Sequence, residues 1–167
     1  SVGIGVEIVD GVRQKNYLDL VKEKIKDCEY ACLSVMTMQI SCAFEVCRLI
    51  RELNPECKII WGGSHPTFFI KETAIHPLID IVCYGEGEIT TREIVEGKNL
   101  SEINGIAYKK NSEVIVNPPR ELHNPAKMPL FKWELVPGEI LHNLYLIPSL
   151  TSRGCPHRCT FCIKAIL

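Results

Sequence analysis

Apolar residues along this chain fall into short runs, and the spacing inside each run decides what element it builds. Residues 6–9 are β-prone and end in the turn signal Asp10-Gly11. Residues 15–26 place Leu18, Val21 and Ile25 on one face at helical spacing, with charges elsewhere. Residues 30–36 (YACLSVM) form an unbroken apolar run, which predicts a strand buried on both faces. Ser41 is placed to cap the next helix, whose inward stripe is Ala43, Val46, Cys47, Ile50 and Leu53, and Asn54-Pro55 stops it. A second buried strand, residues 57–61, runs into Gly62-Gly63. A short helical stretch is expected around residues 69–75, and a third strand over 80–84, ending in Gly85-Glu86-Gly87-Glu88. A helix over residues 89–96 closes at Gly97.

Strand and helix in alternation predict an α/β fold with a parallel sheet and helices on both faces. Such sheets bind ligands outside the carboxyl ends of their strands. The loops there are residues 37–39, 62–66 and 85–88, and two of the three are glycine-rich, which lets backbone approach a ligand closely. The pattern then changes. Residues 105–109 and 113–117 flank Lys110-Asn111-Ser112 and read as a β-hairpin. Pro118, Pro119, Pro125, Pro129 and Pro137 make a stiff linker, and residues 144–147 are β-prone.

Composition narrows the function classes. The 167 residues are 46% apolar, enough for a real core, and carry a net charge of −1, which leaves no electrostatic footprint for nucleic acid. Neither a transmembrane span nor a signal peptide is legible, and nine cysteines without secretory signals point to a reducing cytoplasm. The chain starts at Ser1 and stops soon after its densest motif, so it is read as a piece of a longer polypeptide. That motif is SRGCPHRCTFC, in which Cys155, Cys159 and Cys162 have C-x3-C-x2-C spacing. Three thiolates this close wrap one corner of a cubane iron–sulfur cluster and leave the fourth iron open to a small molecule. The competing reading is a zinc site with His157, which lies awkwardly between two of the cysteines. A disulfide would leave one of the three thiols unpaired. Cys32, Cys42, Cys47, Cys57 and Cys83 fall mostly on apolar faces and read as small core residues.

The cysteine motif resembles the radical S-adenosylmethionine superfamily. The resemblance implies that Cys155, Cys159 and Cys162 hold a 4Fe–4S cluster and that Phe161 lies against the adenine of S-adenosylmethionine. In that family the open iron chelates S-adenosylmethionine, and one electron from the cluster releases a 5′-deoxyadenosyl radical. The order SVMTMQ, IIWGGSHPT, DIVCYGEGE, GIAYKKNSEVIVNPPRE and TSRGCPHRCTFC is also similar to the cobalamin-dependent branch, in which a cobalamin-binding domain precedes the barrel. That branch includes methyltransferases and the anaerobic magnesium-protoporphyrin monomethyl ester cyclase group. The implied architecture is a Rossmann-like, flavodoxin-like cobalamin-binding domain over residues 1–100, a hairpin and linker over 101–137, and the start of a radical S-adenosylmethionine partial barrel over 138–167.

By position, Thr37 and Met38 would face the corrin, Gly62, Gly63 and His65 would line the groove for the nucleotide tail, and Gly85, Glu86 and Gly87 would close it. The D-x-H-x-x-G motif is absent, since Asp10 is followed by Gly11-Val12, so no protein histidine on cobalt is expected. The domain usually opens on a strand that becomes central, and none precedes Val6. The remaining strands are therefore expected to close up, pair with another chain or expose an edge. The implied partners are an unknown substrate and a reductant such as flavodoxin or ferredoxin. Alternatives are a cobalamin or nucleotide carrier with vestigial cysteines, a radical enzyme whose sheet is only structural, and a methylthiotransferase, which would need a second cysteine triad.

Overall fold

The computed structural model describes residues 4–127, 131–142, 153–155, 157 and 159–162. Two compact units divide the chain, Ser1–Leu122 and His123–Leu167.

The first unit is built on one five-stranded sheet in sequence order. Strands β1 (Tyr30–Ser34), β2 (Lys58–Gly62) and β3 (Ile81–Cys83) are parallel. Strand β4 (Ile106–Lys110) runs antiparallel to β3, and β5 (Glu113–Val116) antiparallel to β4. The helices are α1 (Tyr17–Lys24), α2 (Ile40–Leu53), α3 (Ser64–Phe68), α4 (Ile70–Ala74) and α5 (Glu88–Val95).

Two-residue alternation along the strands feeds two separate cores. Ile59, Trp61, Val82 and Ala107 point to one face, where Ala43, Cys47 and Ile50 of α2 and Ala74 of α4 cover them. Ile60, Ile81, Cys83, Ile106 and Tyr108 point to the other, under Ile94 of α5 and Ile103. Trp61 is 1% exposed, and its indole N–H donates to Cys47 Sγ at 3.2 Å. At the amino edge Arg51 donates to Cys57 O (2.7 Å), Leu78 O (3.0 Å) and Asp80 Oδ2 (2.5 Å). Asp80 Oδ2 also accepts from Ile59 N–H at 2.7 Å, so one ion pair straps α2 to β2 and β3.

Five sequence expectations change. The run predicted as a strand buried on both faces is β1, and it is half-covered, with Cys32 and Ser34 exposed. The reason is its place: β1 bonds only to β2, and on the face that carries Ile94 only Tyr30 of β1 packs, its O–H donating to Ile94 O at 3.4 Å. Residues 4–10 add no strand beyond it; Asp10 Oδ1 accepts from Val12 and Arg13 N–H to form the expected turn, and Glu7 pairs with Lys24 at 2.7 Å. Ser41 does not cap α2, because a 3-10 turn, Thr37–Gln39, precedes the helix and Gln39 Oε1 takes the Met36 N–H at 2.9 Å. The helix expected around 69–75 is α4, but a further helix not expected, α3, precedes it, and the two are separated at Phe69, whose φ −124°, ψ 57° leaves helical space. The hairpin, expected beyond the α/β domain, instead continues its sheet through β3. Tyr84 O–H donates to Asn117 O (2.5 Å), and Asn117 Nδ2 donates to Leu100 O (2.6 Å) and Ile103 O (2.7 Å), which fixes the strand exit.

In the second unit, α6 (Gly138–His142) follows a 3-10 turn, Trp133–Leu135, and the rings of Phe131 and Trp133 meet edge-on at 4.7 Å. The β-prone residues 144–147 lie outside the described residues. Among the described residues no helix is long and apolar enough to cross a membrane.

Candidate functional site

Parallel strands deliver all their carboxyl ends to one edge, and three connections leave from it: 35–39 after β1, Gly63 after β2 and 84–87 after β3. The first two touch through backbone. Val35 N–H donates to Gly62 O (2.8 Å), and His65 N–H donates to Val35 O (3.0 Å). That approach requires glycine at position 63, where φ is +94° and a Cβ would stand 2.8 Å from Val35 N. Side chains reinforce it. Thr37 Oγ1 lies 3.2 Å from His65 Nδ1, in hydrogen-bond contact. Burial lowers the His65 pKa, which keeps the ring neutral at pH 7 and able to accept from the hydroxyl.

The second and third connections are joined by a residue the sequence reading passed over. Thr67 Oγ1 donates to Gly63 O at 2.7 Å and accepts from Gly85 N–H at 3.1 Å. Gly85 has φ +73°, a second position where the backbone enters the left-handed region. Gly87 precedes α5; its carbonyl accepts from Thr91 N–H at 2.7 Å, and a Cβ there would meet Cys83 Sγ at 3.4 Å. Thr67 was missed because a threonine two residues after a histidine carries no motif of its own. Its role exists only once β2 and β3 are adjacent.

Of the residues expected to contact a ligand, Thr37, Gly62, Gly63 and His65 are therefore brought into one bonded cluster, and Gly85 joins through Thr67. Glu86 and Gly87 follow on the same connection and are half-buried. Met38 is 85% exposed and Met36 49%, and the half-exposed Phe69 ring lies 4.9 Å from His65. The edge thus offers soft apolar side chains around a rigid backbone platform, which suits a flat, largely apolar ring with a polar periphery.

The cysteine motif belongs to the second unit. Cys155 and Cys159 are exposed, Cys162 is half-buried, and Cys162 N–H donates to Cys159 O at 3.0 Å. Phe161 is 91% exposed. Three thiols at this spacing are a donor set suited to iron or zinc. Among the described residues no three metal-binding side chains are gathered around a common point. All nine cysteines are free thiols. Cys57 is 1% exposed, and burial pushes its thiol up to about 11, the behaviour of an inert core residue. Cys47 and Cys83 are buried too, as expected, whereas Cys32 and Cys42 are exposed.

The sequence profile of the B12 binding domain family matches residues 3–95. An uncharacterized methyltransferase of Pyrococcus horikoshii is 31% identical over 172 residues, covering 96% of this chain and 37% of that protein. The anaerobic magnesium-protoporphyrin IX monomethyl ester cyclase of Synechocystis is 30% identical over 129 residues, 70% of this chain and 26% of the cyclase. The chain therefore spans about a third or less of the length of these relatives. The radical S-adenosylmethionine methyltransferase TsrM of Kitasatospora setae, solved with cobalamin and a [4Fe-4S] cluster bound, superposes with a TM-score of 0.60 at 18% identity over 74% of this chain and 24% of that one. This last likeness is one of fold.

Proposed function

The chain belongs to the B12 binding domain family, and on that premise we propose that it is the cobalamin-binding module of a radical S-adenosylmethionine enzyme of the methyltransferase or cyclase type. The observation that carries this reading is the bonded cluster at the carboxyl edge, where three connections are fixed to one another while Met36, Met38 and Phe69 stay open.

Cobalamin, when bound, supplies a cobalt centre able to carry a methyl group. The chain's own residues hold and orient it. Thr37 and Met38 face the ring. Gly62, Gly63 and His65 line the groove for the nucleotide tail, with glycine leaving room where a side chain would intrude. Gly85, Glu86 and Gly87 close the groove. His65 keeps Nδ1 on Thr37, so its position is set before any ligand arrives. No protein histidine is assigned to cobalt.

The second unit supplies Cys155, Cys159 and Cys162 as ligands for a 4Fe–4S cluster and Phe161 as a surface for the adenine of S-adenosylmethionine. The reading takes support from the cysteine spacing and from the relatives named above. Electrons would come from a small cytoplasmic carrier such as flavodoxin or ferredoxin.

The testing experiment is cobalamin retention. The purified chain is mixed with hydroxocobalamin without oxygen, desalted, and its visible spectrum recorded. Stoichiometric corrin absorbance, with the base-off spectrum of a corrin lacking a nitrogen ligand below cobalt, is expected. A folded chain that retains no corrin would sink the proposal.

A further inference from the structure

Helix α3 stands between the two other connections of the carboxyl edge, and it is gripped on both sides. Residues 65 and 67 are two positions apart, which places them about 200° apart around a helix axis. His65 accordingly turns toward the connection after β1 and meets Thr37. Thr67 turns toward the connection after β3 and meets Gly85. The Thr67 hydroxyl uses both of its capacities at once, donating to Gly63 O at 2.7 Å and accepting from Gly85 N–H at 3.1 Å. Gly63 and Gly85 are the two glycines of this edge whose φ is positive, +94° and +73°. One hydroxyl therefore clasps the two backbone segments with the least intrinsic preference for a single conformation.

We infer that Thr67 is a positioning residue for the cobalamin groove, holding the Gly63 and Gly85 connections at the separation the nucleotide tail requires. This rests on the cobalamin reading above and adds a residue to it. A Cβ at Gly85 would find no atom within 4 Å, so side-chain packing does not hold this turn, and the Thr67 hydroxyl reaches its amide directly. The clasp is solvent-accessible, so its loss is felt more in preorganisation than in global stability.

Thr67→Val keeps the branched shape and deletes both hydrogen bonds, while Thr67→Ser keeps them. The full 167-residue chain and each variant are titrated with hydroxocobalamin. Thr67→Val is expected to bind about tenfold more weakly, as the loss of roughly one net hydrogen bond predicts, and Thr67→Ser within about twofold of the native chain. Melting temperatures of all three should agree within a few degrees, which a merely structural role would not give. Hydrogen exchange of the Gly85 amide, measured without ligand, should quicken in Thr67→Val alone. Thr67→Ala serves in place of valine if the latter misfolds. Native-like affinity and native-like Gly85 exchange in a folded hydroxyl-free variant would overturn the inference. If the native chain itself retains no corrin, the cobalamin reading fails instead, and faster Gly85 exchange would still establish the clasp but not its purpose.

Discussion

At the scale of single residues, the carboxyl edge depends on positions where only one side chain, or none, can stand. Gly63 and Gly97 both have positive φ, +94° and +78°, but differ in surroundings. A Cβ at 97 meets nothing within 4 Å, whereas one at 63 would lie 2.8 Å from Val35 N and 3.0 Å from Val35 O. Gly97→Ala should therefore cost about 1 kcal/mol, the strain of left-handed backbone alone. Gly63→Ala should cost roughly 3 kcal/mol or more, because backbone must also move. Urea unfolding of both variants checks the difference, and equal losses would contradict it.

Charge makes a second residue-scale prediction. Burial pushes the Glu93 carboxyl up, but hydrogen bonds from Lys98 and Arg120 outweigh it and hold the pKa below its ordinary value. The folded state then binds this proton less readily than the unfolded chain, where glutamate titrates near about 4.3. The stabilisation is complete above that value and disappears as pH falls through the lower folded value. Glu93→Gln should lower the melting temperature at pH 7 and flatten its acid-side decline. A melting curve series from pH 7 to pH 3 reads both.

At the scale of elements, the hairpin is the piece whose local chemistry is most exposed to improvement. Asn111 and Ser112 have φ of 51° and 68°, the two positive values of a type I′ turn between Lys110 and Glu113. Asparagine tolerates that conformation, and serine less so. Ser112→Gly should stabilise the chain by about 0.5–1 kcal/mol, measured by thermal unfolding, and a loss would show that the serine makes a compensating contact.

The same element shows what sequence could and could not tell. The hairpin was legible from two β-prone runs around Asn111-Ser112, but its place was not, because joining β3 is settled by Ile81–Tyr108 and Val82–Ala107 pairing at long range. Buried strands and the α2 stripe as far as Ile50 were readable because Ile59, Trp61 and Ile50 obey simple periods, whereas Leu53, expected to end that stripe, is exposed in the last turn. β1 misled because an apolar run carries no mark of edge or centre. The break at Phe69 was hidden for a similar reason, since one residue's φ and ψ leave no periodic trace. At the site, Thr37, Gly63 and His65 announced themselves through loop position, whereas Thr67 required the adjacency of two strands.

At the scale of the whole molecule, the proposal makes two cofactor sites separable. The expected corrin residues lie within Ser1–Leu122, and the three motif cysteines lie within His123–Leu167. No predicted corrin contact comes from the second unit, and no predicted cluster ligand comes from the first. Replacing Cys155, Cys159 and Cys162 together by alanine should therefore abolish iron uptake during anaerobic reconstitution while leaving hydroxocobalamin retention within about twofold, since none of the bonds that fix the groove is touched. Gly63→Ala should do the reverse. Iron content and corrin absorbance, measured on the same samples, decide between independence and coupling. A fall in corrin retention with the cysteine variant would mean that the second unit contributes to the groove, and the division of roles argued from Thr37, His65 and Thr67 would have to be redrawn to include it.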